Sequence, residues 1–185
     1  VKTVSGRQAA LLRGVNVGPA KRVAMADLRA LVEDLGYTDV RTLLNSGNVV
    51  YTAPGVAPAV AAARIEEALA ARLGVRAMVV SLAAEELATA VADNPLAEVA
   101  ENPSRLLVAV PADPAARGRL EPLLKQEWKP EALALGPRVA YLWCPDGVIT
   151  SRLSAAVGRA LGDEVTSRNW TTMTRLQALA TEGQR

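Results

Sequence analysis

VRTLLNSGNVVYT, residues 40–52, decides the fold. Two apolar runs, Val40–Leu44 and Val49–Thr52, flank Asn45-Ser46-Gly47-Asn48, a cluster of turn formers. The reading is a β-hairpin with Gly47 or Asn48 at positive φ. Upstream, Met25, Leu28, Leu31, Val32 and Leu35 recur at helical spacing, and Gly36 is placed to end that helix. Before them, Gln8–Leu12 has the length of a buried strand. Downstream, Pro54, Gly55 and Pro58 punctuate a loop, and Pro58 suits a helix's first turn. Val60, Ile65, Leu69 and Leu73 are expected on one side of an Ala-rich helix that Gly74 stops, and Val75–Val80 reads as a strand. The order is strand, helix, strand, strand, helix, strand, which is the pattern of a ferredoxin-like sandwich.

The rest of the chain repeats this order. Ser81 is placed to cap a helix carrying Leu82, Leu87 and Val91, and Asn94-Pro95 ends it. The polar stretch Ala97–Pro103 reads as a domain boundary. Arg105–Val110 is a strand, and Asp113-Pro114 starts a helix that must bend or restart at Pro122. Glu131–Leu135 and Arg138–Trp143 form a hairpin about Gly136-Pro137, and Cys144–Gly147 is a turn. Leu153, Ala156, Val157 and Leu161 mark a helix closed by Gly162. Glu164–Arg168 is a short strand, and Thr171 or Thr172 caps a last helix holding Met173, Leu176 and Leu179.

The expected fold is therefore α+β, with two consecutive ferredoxin-like (βαββαβ) sandwiches, a connecting helix and a C-terminal helix. The expected boundaries are an N-terminal unit at 1–80, a connecting helix and linker at 81–104, and a C-terminal unit with its closing helix at 105–185. Element order alone carries the repeat, since no residue-level repeat is visible. Val1–Gly6 reads as a mobile start.

Composition narrows the chemistry. The 185 residues suit one large domain or two small ones, and half of them are hydrophobic. A chain of this size buries about 70% of its unfolded surface, so the core needs no metal or disulfide. A formal charge of +2 is not the footprint of a strong nucleic-acid binder. The absence of His removes Ser-His-Asp and Cys-His arrangements and most transition-metal sites. Cys144 is the only cysteine, which fits a reducing, cytoplasmic setting. No signal-peptide pattern is read, and apolar runs stop well short of the roughly 18 residues that a membrane span needs.

The stretch that concentrates residues unsuited to a core is LLRGVNVG, Leu11–Gly18, followed by Lys21 and Arg22. A connection this long is uncommon in a compact domain and is often functional. Glycines between a strand and a helix can present backbone N–H groups to a phosphate or carboxylate. Arg13, Lys21 and Arg22 add charge-assisted donors. The loop is neither a Walker A sequence nor GxGxxG. The competing reading is structural: Gly14 and Gly18 take backbone angles closed to other residues, and Asn16 ties the loop by side-chain bonds. Both readings stay open. In a split βαβ unit the Ser46-Gly47-Asn48 turn is expected at the sheet end opposite this loop, so the two motifs are not expected to share a site within one unit.

Other candidates have plain structural readings beside the chemical ones. Arg168 and Asn169 form a candidate second wall for an anion, with Trp170 as a stacking surface or a core plug. Cys144 reads as a buried, inert thiol. Glu66-Glu67, Glu85-Glu86 and Asp163-Glu164 are adjacent pairs, which do not face each other on a helix. No carboxylate set has metal-binding spacing and no cofactor is identified. A Mg²⁺ held mainly by substrate is left open.

LLRGVNVG with Met25-Ala26-Asp27-Leu28, SGN at 46–48, YLWCPDG at 141–147 and SRNWTT at 167–172 together resemble an uncharacterised bacterial family, domain-of-unknown-function family sixteen-ninety-seven. The resemblance runs from about Arg7 to Leu179. It implies two α+β sandwich units and no particular activity. Pro19 departs from it, standing where members often carry a second glycine, and stiffens the loop.

The expected function is that of a cytosolic protein binding a small anionic or phosphate-bearing ligand through Arg13, Gly14, Asn16, Gly18, Lys21 and Arg22, with Arg168 and Asn169 as the second wall. Whether it is an enzyme is left open. The alternative is a protein-interaction or oligomerisation module, with homo-oligomers allowed. An RNA-binding module is the weakest reading, because the exposed aromatics it needs on the sheet are missing.

Overall fold

The computed structural model describes residues 6–182, so the start read at Val1–Gly6 lies, apart from Gly6, outside the described residues. The fold is mixed α+β, with two four-stranded antiparallel sheets. The described residues up to Leu87, joined by those from Leu176 onward, cluster as one compact unit, and Ala88–Arg175 form the other. The helix expected to connect the units and the closing helix are thus each divided between the two clusters.

In the first unit the elements are β1 (Arg7–Leu12), α1 (Met25–Asp34), β2 (Thr38–Leu43), β3 (Asn48–Thr52), α2 (Pro58–Leu73), β4 (Val79–Ala83) and α3 (Ala84–Ala92), the last running on into the second unit. The sheet order is β2-β3-β1-β4, with every neighbour antiparallel. β1 is buried along its whole length, with the apolar run Ala9–Leu12 preceded by the buried polar residues Arg7 and Gln8. Ala10, Leu12, Val49 and Tyr51 pack with Leu28, Leu31 and Val32 of α1 and Ile65 and Leu69 of α2 into one core. Tyr37 stacks on Tyr51 with ring centroids 5.1 Å apart. Within this core Tyr51 Oη and Ser81 Oγ share a 2.6 Å hydrogen bond.

Three local expectations need correcting here. Val60 is 45% exposed, and Ala61, Ala62, Ile65 and Leu69 form the buried face of α2. Residues 61, 65 and 69 fall one helical turn apart, whereas a five-residue step from 60 to 65 leaves that stripe. The fourth strand starts at Val79, because its ladder begins where β1 ends, with Leu12 opposite Val79. Ser81 is consequently a buried strand residue and caps nothing. The start of α3 is bound instead by Glu86, whose Oε2 accepts from the Ala83 N–H at 2.8 Å, a reach back typical of the third helical position.

The second unit holds β5 (Leu106–Pro111), a 3-10 helix (Pro114–Lys125), β6 (Ala132–Leu135), β7 (Ala140–Trp143), α4 (Arg152–Leu161), β8 (Val165–Asn169) and the start of α5 (Trp170–Thr181). Its sheet order is β6-β7-β5-β8, again antiparallel. Leu120, Leu142, Leu153, Val157 and Leu161 belong to its core. The stretch Pro114–Lys125 is 3-10 and not α, with Pro122 inside it. In an α-helix the ring of Pro122 would clash with the carbonyl of Gly118, four residues back, and the tighter winding avoids this. The cap of α5 is Asn169, whose Oδ1 accepts from the Thr172 N–H at 2.9 Å. Thr172 sits at the third helical position, so it receives the cap instead of providing it.

Candidate functional site

The end of the first sheet where β1 stops gathers most of the residues singled out by sequence. The Leu12 N–H donates to the Gly47 carbonyl at 2.8 Å, and the Arg13 N–H donates to the Met78 carbonyl at 2.8 Å. The loop after β1 therefore leaves between the β2–β3 turn on one side and the approach to β4 on the other. This overturns the expectation that the loop and the Ser46-Gly47-Asn48 turn lie at opposite ends. β3 is antiparallel to β1 and pairs Asn48 with Leu11, so β3 must begin where β1 ends.

Val15 and Val23 are buried and anchor the loop in the core. Between them the chain doubles back, with the Asn16 N–H donating to the Lys21 carbonyl at 3.0 Å. Residues 17–20 form an exposed tip, with Val17 74% exposed. The Asn16 side chain is fully engaged. Its Nδ2 donates to the Val23 carbonyl at 2.8 Å and to the Asn45 carbonyl at 2.6 Å, and its Oδ1 accepts from the Val23 N–H at 2.9 Å. One amide thus closes the loop and ties it to the hairpin turn. Gly47 has φ +82°, and a Cβ there would lie 2.6 Å from Val15 Cγ2 and 2.8 Å from Leu12 Cβ. Asn48 is buried at ordinary φ and donates to the Leu43 carbonyl at 2.8 Å and to Ser46 Oγ at 2.9 Å.

Strain concentrates at this end. Among the described residues, the non-glycine positions with positive φ are Asn16, Lys21, Asp39 and Leu44, all in the first unit. Asn16, Lys21 and Leu44 belong to this loop and the adjoining turn, with φ of +56°, +53° and +59°. Left-handed geometry is tolerated by Asn but is an outlier for a bulky residue such as Leu. Leu44 is also 48% exposed, so core packing does not explain its conformation.

Beside the loop lies an open cleft of about 530 Å³, lined by Asn16, Arg22, Val23, Ala24, Asp27 and Asn45. That volume is of the size that takes small molecules. α1 begins at its wall. The residue preceding the helix is Ala24, and no side chain caps the end. The Arg22, Asp27 and Asn45 side chains are exposed, and among the described residues none of the three has a hydrogen bond or ion pair. The cleft therefore presents a guanidinium, a carboxamide, open helix amides and one carboxylate.

Of the residues expected to bind, Asn16 and Arg22 line the cleft. Arg13, Gly14, Gly18 and Lys21 share the loop and are not among its lining residues. Gly14 and Gly18 have φ of +68° and +73°, with open space where a Cβ would sit, so they serve the turn and not a close approach. Arg168 and Asn169 belong to the second unit. Arg168 Nη1 donates to Thr166 Oγ1 and to the Ser167 carbonyl, both at 2.9 Å, and burial lowers its pKa to about 10. Asn169 caps α5. Sequence reasoning missed Asp27 and Asn45 as cleft residues. Asp27 stood in the quoted Met-Ala-Asp-Leu stretch, as an acid in a first helical turn. Asn45 became visible only once the turn was placed beside the loop.

A second open cleft, of about 580 Å³, lies along α2 and is walled by Glu66, Glu67, Arg76 and Met78 among alanines. Glu66 is engaged there, accepting from the Val79 N–H at 2.7 Å. Cys144 is buried, which raises its thiol pKa, and its Sγ lies 3.3 Å from Ser151 Oγ. Among the described residues no group of three or more His, Cys, Asp or Glu side chains forms a metal-binding set. No helix among them is long and apolar enough to cross a membrane.

No curated protein matches the chain. A solved structure described as that of the conserved bacterial protein SP0830 from Streptococcus pneumoniae is similar in fold, with a TM-score of 0.76 at 22% identity, over 95% of this chain and 98% of that one. The family described as "Protein of unknown function (DUF1697)" matches residues 6–141, which is most of the sequence and includes the whole loop, turn and cleft, and on that match the chain belongs to the DUF1697 family.

Proposed function

We propose that this protein is a cytosolic binder of a small anionic ligand, a phosphate or carboxylate, held in the cleft between the 13–24 loop and the β2–β3 turn. The observation that carries the proposal is the cleft itself, where the Arg22 and Asn45 side chains, without hydrogen-bond or ion-pair partners among the described residues, adjoin a helix start without a side-chain cap. Such a start offers N–H donors and the positive end of the helix dipole to an anion. Arg22 adds a fork-shaped donor suited to oxyanions. Asn16 enters as the strut that holds the cleft open, and the proposal does not draw on Arg168 or Asn169. The strained φ angles at the same end support it, since strain clusters where function over-determines the backbone. We also propose that each unit is a ferredoxin-like sandwich. Element order and the antiparallel orders β2-β3-β1-β4 and β6-β7-β5-β8 support this.

Calorimetric titration with nucleotides, sugar phosphates and small carboxylates tests the anion reading. Binding tighter than about 1 mM, roughly −4 kcal/mol, is expected for at least one of them, with loss in Arg22→Gln. Silence across the whole panel sinks the proposal. The protein-interaction alternative is favoured by one observation, the exposed Val17 and Leu44 on the loop tip and the turn. Concentration-dependent self-association that is lost on replacing both would promote it. The RNA reading gains no support, as Tyr51 and Tyr141 of the two sheets are fully buried.

A further inference from the structure

The same cleft holds a feature that an anion alone does not use. Asp27 lines it together with Arg22, and the two form no ion pair with each other or with any other described residue. A carboxylate in the wall repels a phosphate, and a cleft built only for anions has no use for one. Opposite charges left unpaired in one open cleft match a ligand that brings both charges itself. Asn45 adds a neutral amide able to donate and accept at the same wall.

We infer that the ligand is a small zwitterion, with an anionic group on the Arg22 side and an ammonium on Asp27. This rests on the anion reading of the cleft and narrows it. Each ligand charge then meets its opposite, and the cleft walls, carrying one positive and one negative side chain, stay neutral overall. A ligand of this kind satisfies both side chains, whereas a dianion satisfies Arg22 and opposes Asp27. The anionic group can be a phosphate or a carboxylate, and the probes separate the two.

The test is calorimetry on the intact chain with five probes. Phosphoethanolamine and alanine carry both charges, while inorganic phosphate, acetate and ethanolamine carry one. At least one zwitterion should bind tenfold or more tightly than either of its single-charge counterparts. Asp27→Asn should remove that gain and leave phosphate binding equal or stronger, while Arg22→Gln should weaken zwitterion and anion alike. If phosphate matches phosphoethanolamine and acetate matches alanine, or if Asp27→Asn strengthens zwitterion binding, Asp27 is a solvated bystander. That outcome overturns this inference and leaves the anion reading standing. No binding by any of the five overturns this inference, and silence from the nucleotides and sugar phosphates as well removes the anion reading with it. Thermal unfolding guards against a folding artefact: Arg22→Gln is expected unchanged, and Asp27→Asn only slightly lowered by loss of one acid from the first turn of α1.

Discussion

The two units set their strands in the same order but leave their first strands by different routes. After β1 the chain runs from Arg13 to Ala24 before α1, whereas after β5 only Ala112 and Asp113 precede the 3-10 helix. The short connection is a plain cap: Asp113 Oδ1 accepts from the Ala115 N–H at 2.9 Å, and Pro114 opens the helix. The long one needs Asn16 and Gly47 to hold it, carries left-handed non-glycine residues and opens a cleft with unpaired charges. The second unit sets its strands in the equivalent order with a two-residue connection, so that strand order does not require the additional chain in the first unit. The contrast between a short connection and an elaborate one is what supports the proposed site at the end of the first sheet.

The largest expected effect breaks the elaborate end directly. Gly47→Ala places a Cβ within 3 Å of Val15 and Leu12 at φ +82°. Left-handed strain of about 1–2 kcal/mol adds to overpacking of about 1–3 kcal/mol. A loss of about 4 kcal/mol is expected, read as a fall in the urea midpoint. Gly136, in the turn of the second hairpin, has no positive φ, and its nearest obstacle is the Tyr141 ring at 3.1 Å. Gly136→Ala should cost about 1 kcal/mol. Equal losses at the two positions would remove the asymmetry between the turns.

The cores offer a control, because there the units should behave alike. Burial raises the pKa of Tyr51 in β3 above its ordinary value and pushes Tyr141 in β7 up to about 12. In both cases the fold favours the neutral phenol. The stabilisation is therefore complete below pH 10, the unfolded value, and is lost as pH rises through the folded one. For Tyr141 a shift of two units corresponds to about 3 kcal/mol. Stability should fall between pH 10 and 12, and Tyr141→Phe should flatten that fall when followed by circular dichroism. A pH dependence unchanged in the variant contradicts the burial of this phenol.

Much of the contrast was legible in the sequence. Helix ends at Gly36, Gly74 and Gly162, and the cap at Asp113-Pro114, followed from residue chemistry that tertiary context did not override. The Arg13–Ala24 loop was visible because no periodicity runs through it. The start of β4 was not, since VRAMVVSLA is largely apolar, and Arg76 and Ser81 alone set no phase that marks a start. Its register is set by where β1 ends. Ser81 looked like a cap because its core partner, Tyr51, lies thirty positions away. The cleft was half legible. Arg22 and Asn16 announce themselves by composition, but Asn45 joins them only through strand direction, which residue patterns do not state.

Asn16→Ala sharpens the comparison at the next level down. It removes three hydrogen bonds and leaves the Val23 N–H and two carbonyls without those partners. The groups are only partly buried and water replaces some of the loss, so about 2 kcal/mol is expected. Hydrogen exchange should speed up across residues 13–24 and 44–47, with the second unit unaffected. The counterpart, Asp113→Ala, removes one cap and should cost about 1 kcal/mol. If Asn16→Ala costs no more than Asp113→Ala and leaves exchange unchanged, the long connection does not depend on its strut.

Leu44 gives the smallest effect and separates strain from packing. At φ +59° its backbone is unfavourable for a branched side chain, and its exposure returns little burial in exchange. Asn occupies left-handed geometry at lower energy, so Leu44→Asn should raise stability by about 1 kcal/mol. A residue selected for the fold alone would already have been one that fits. If the gain in stability is accompanied by weaker ligand binding or lost self-association, the exposed leucine was kept for contact at this end of the sheet. If stability falls instead, Leu44 makes apolar contacts that outweigh its backbone strain. The left-handed residue at the turn is then part of the packing, and the difference between the two units rests on the loop and its cleft.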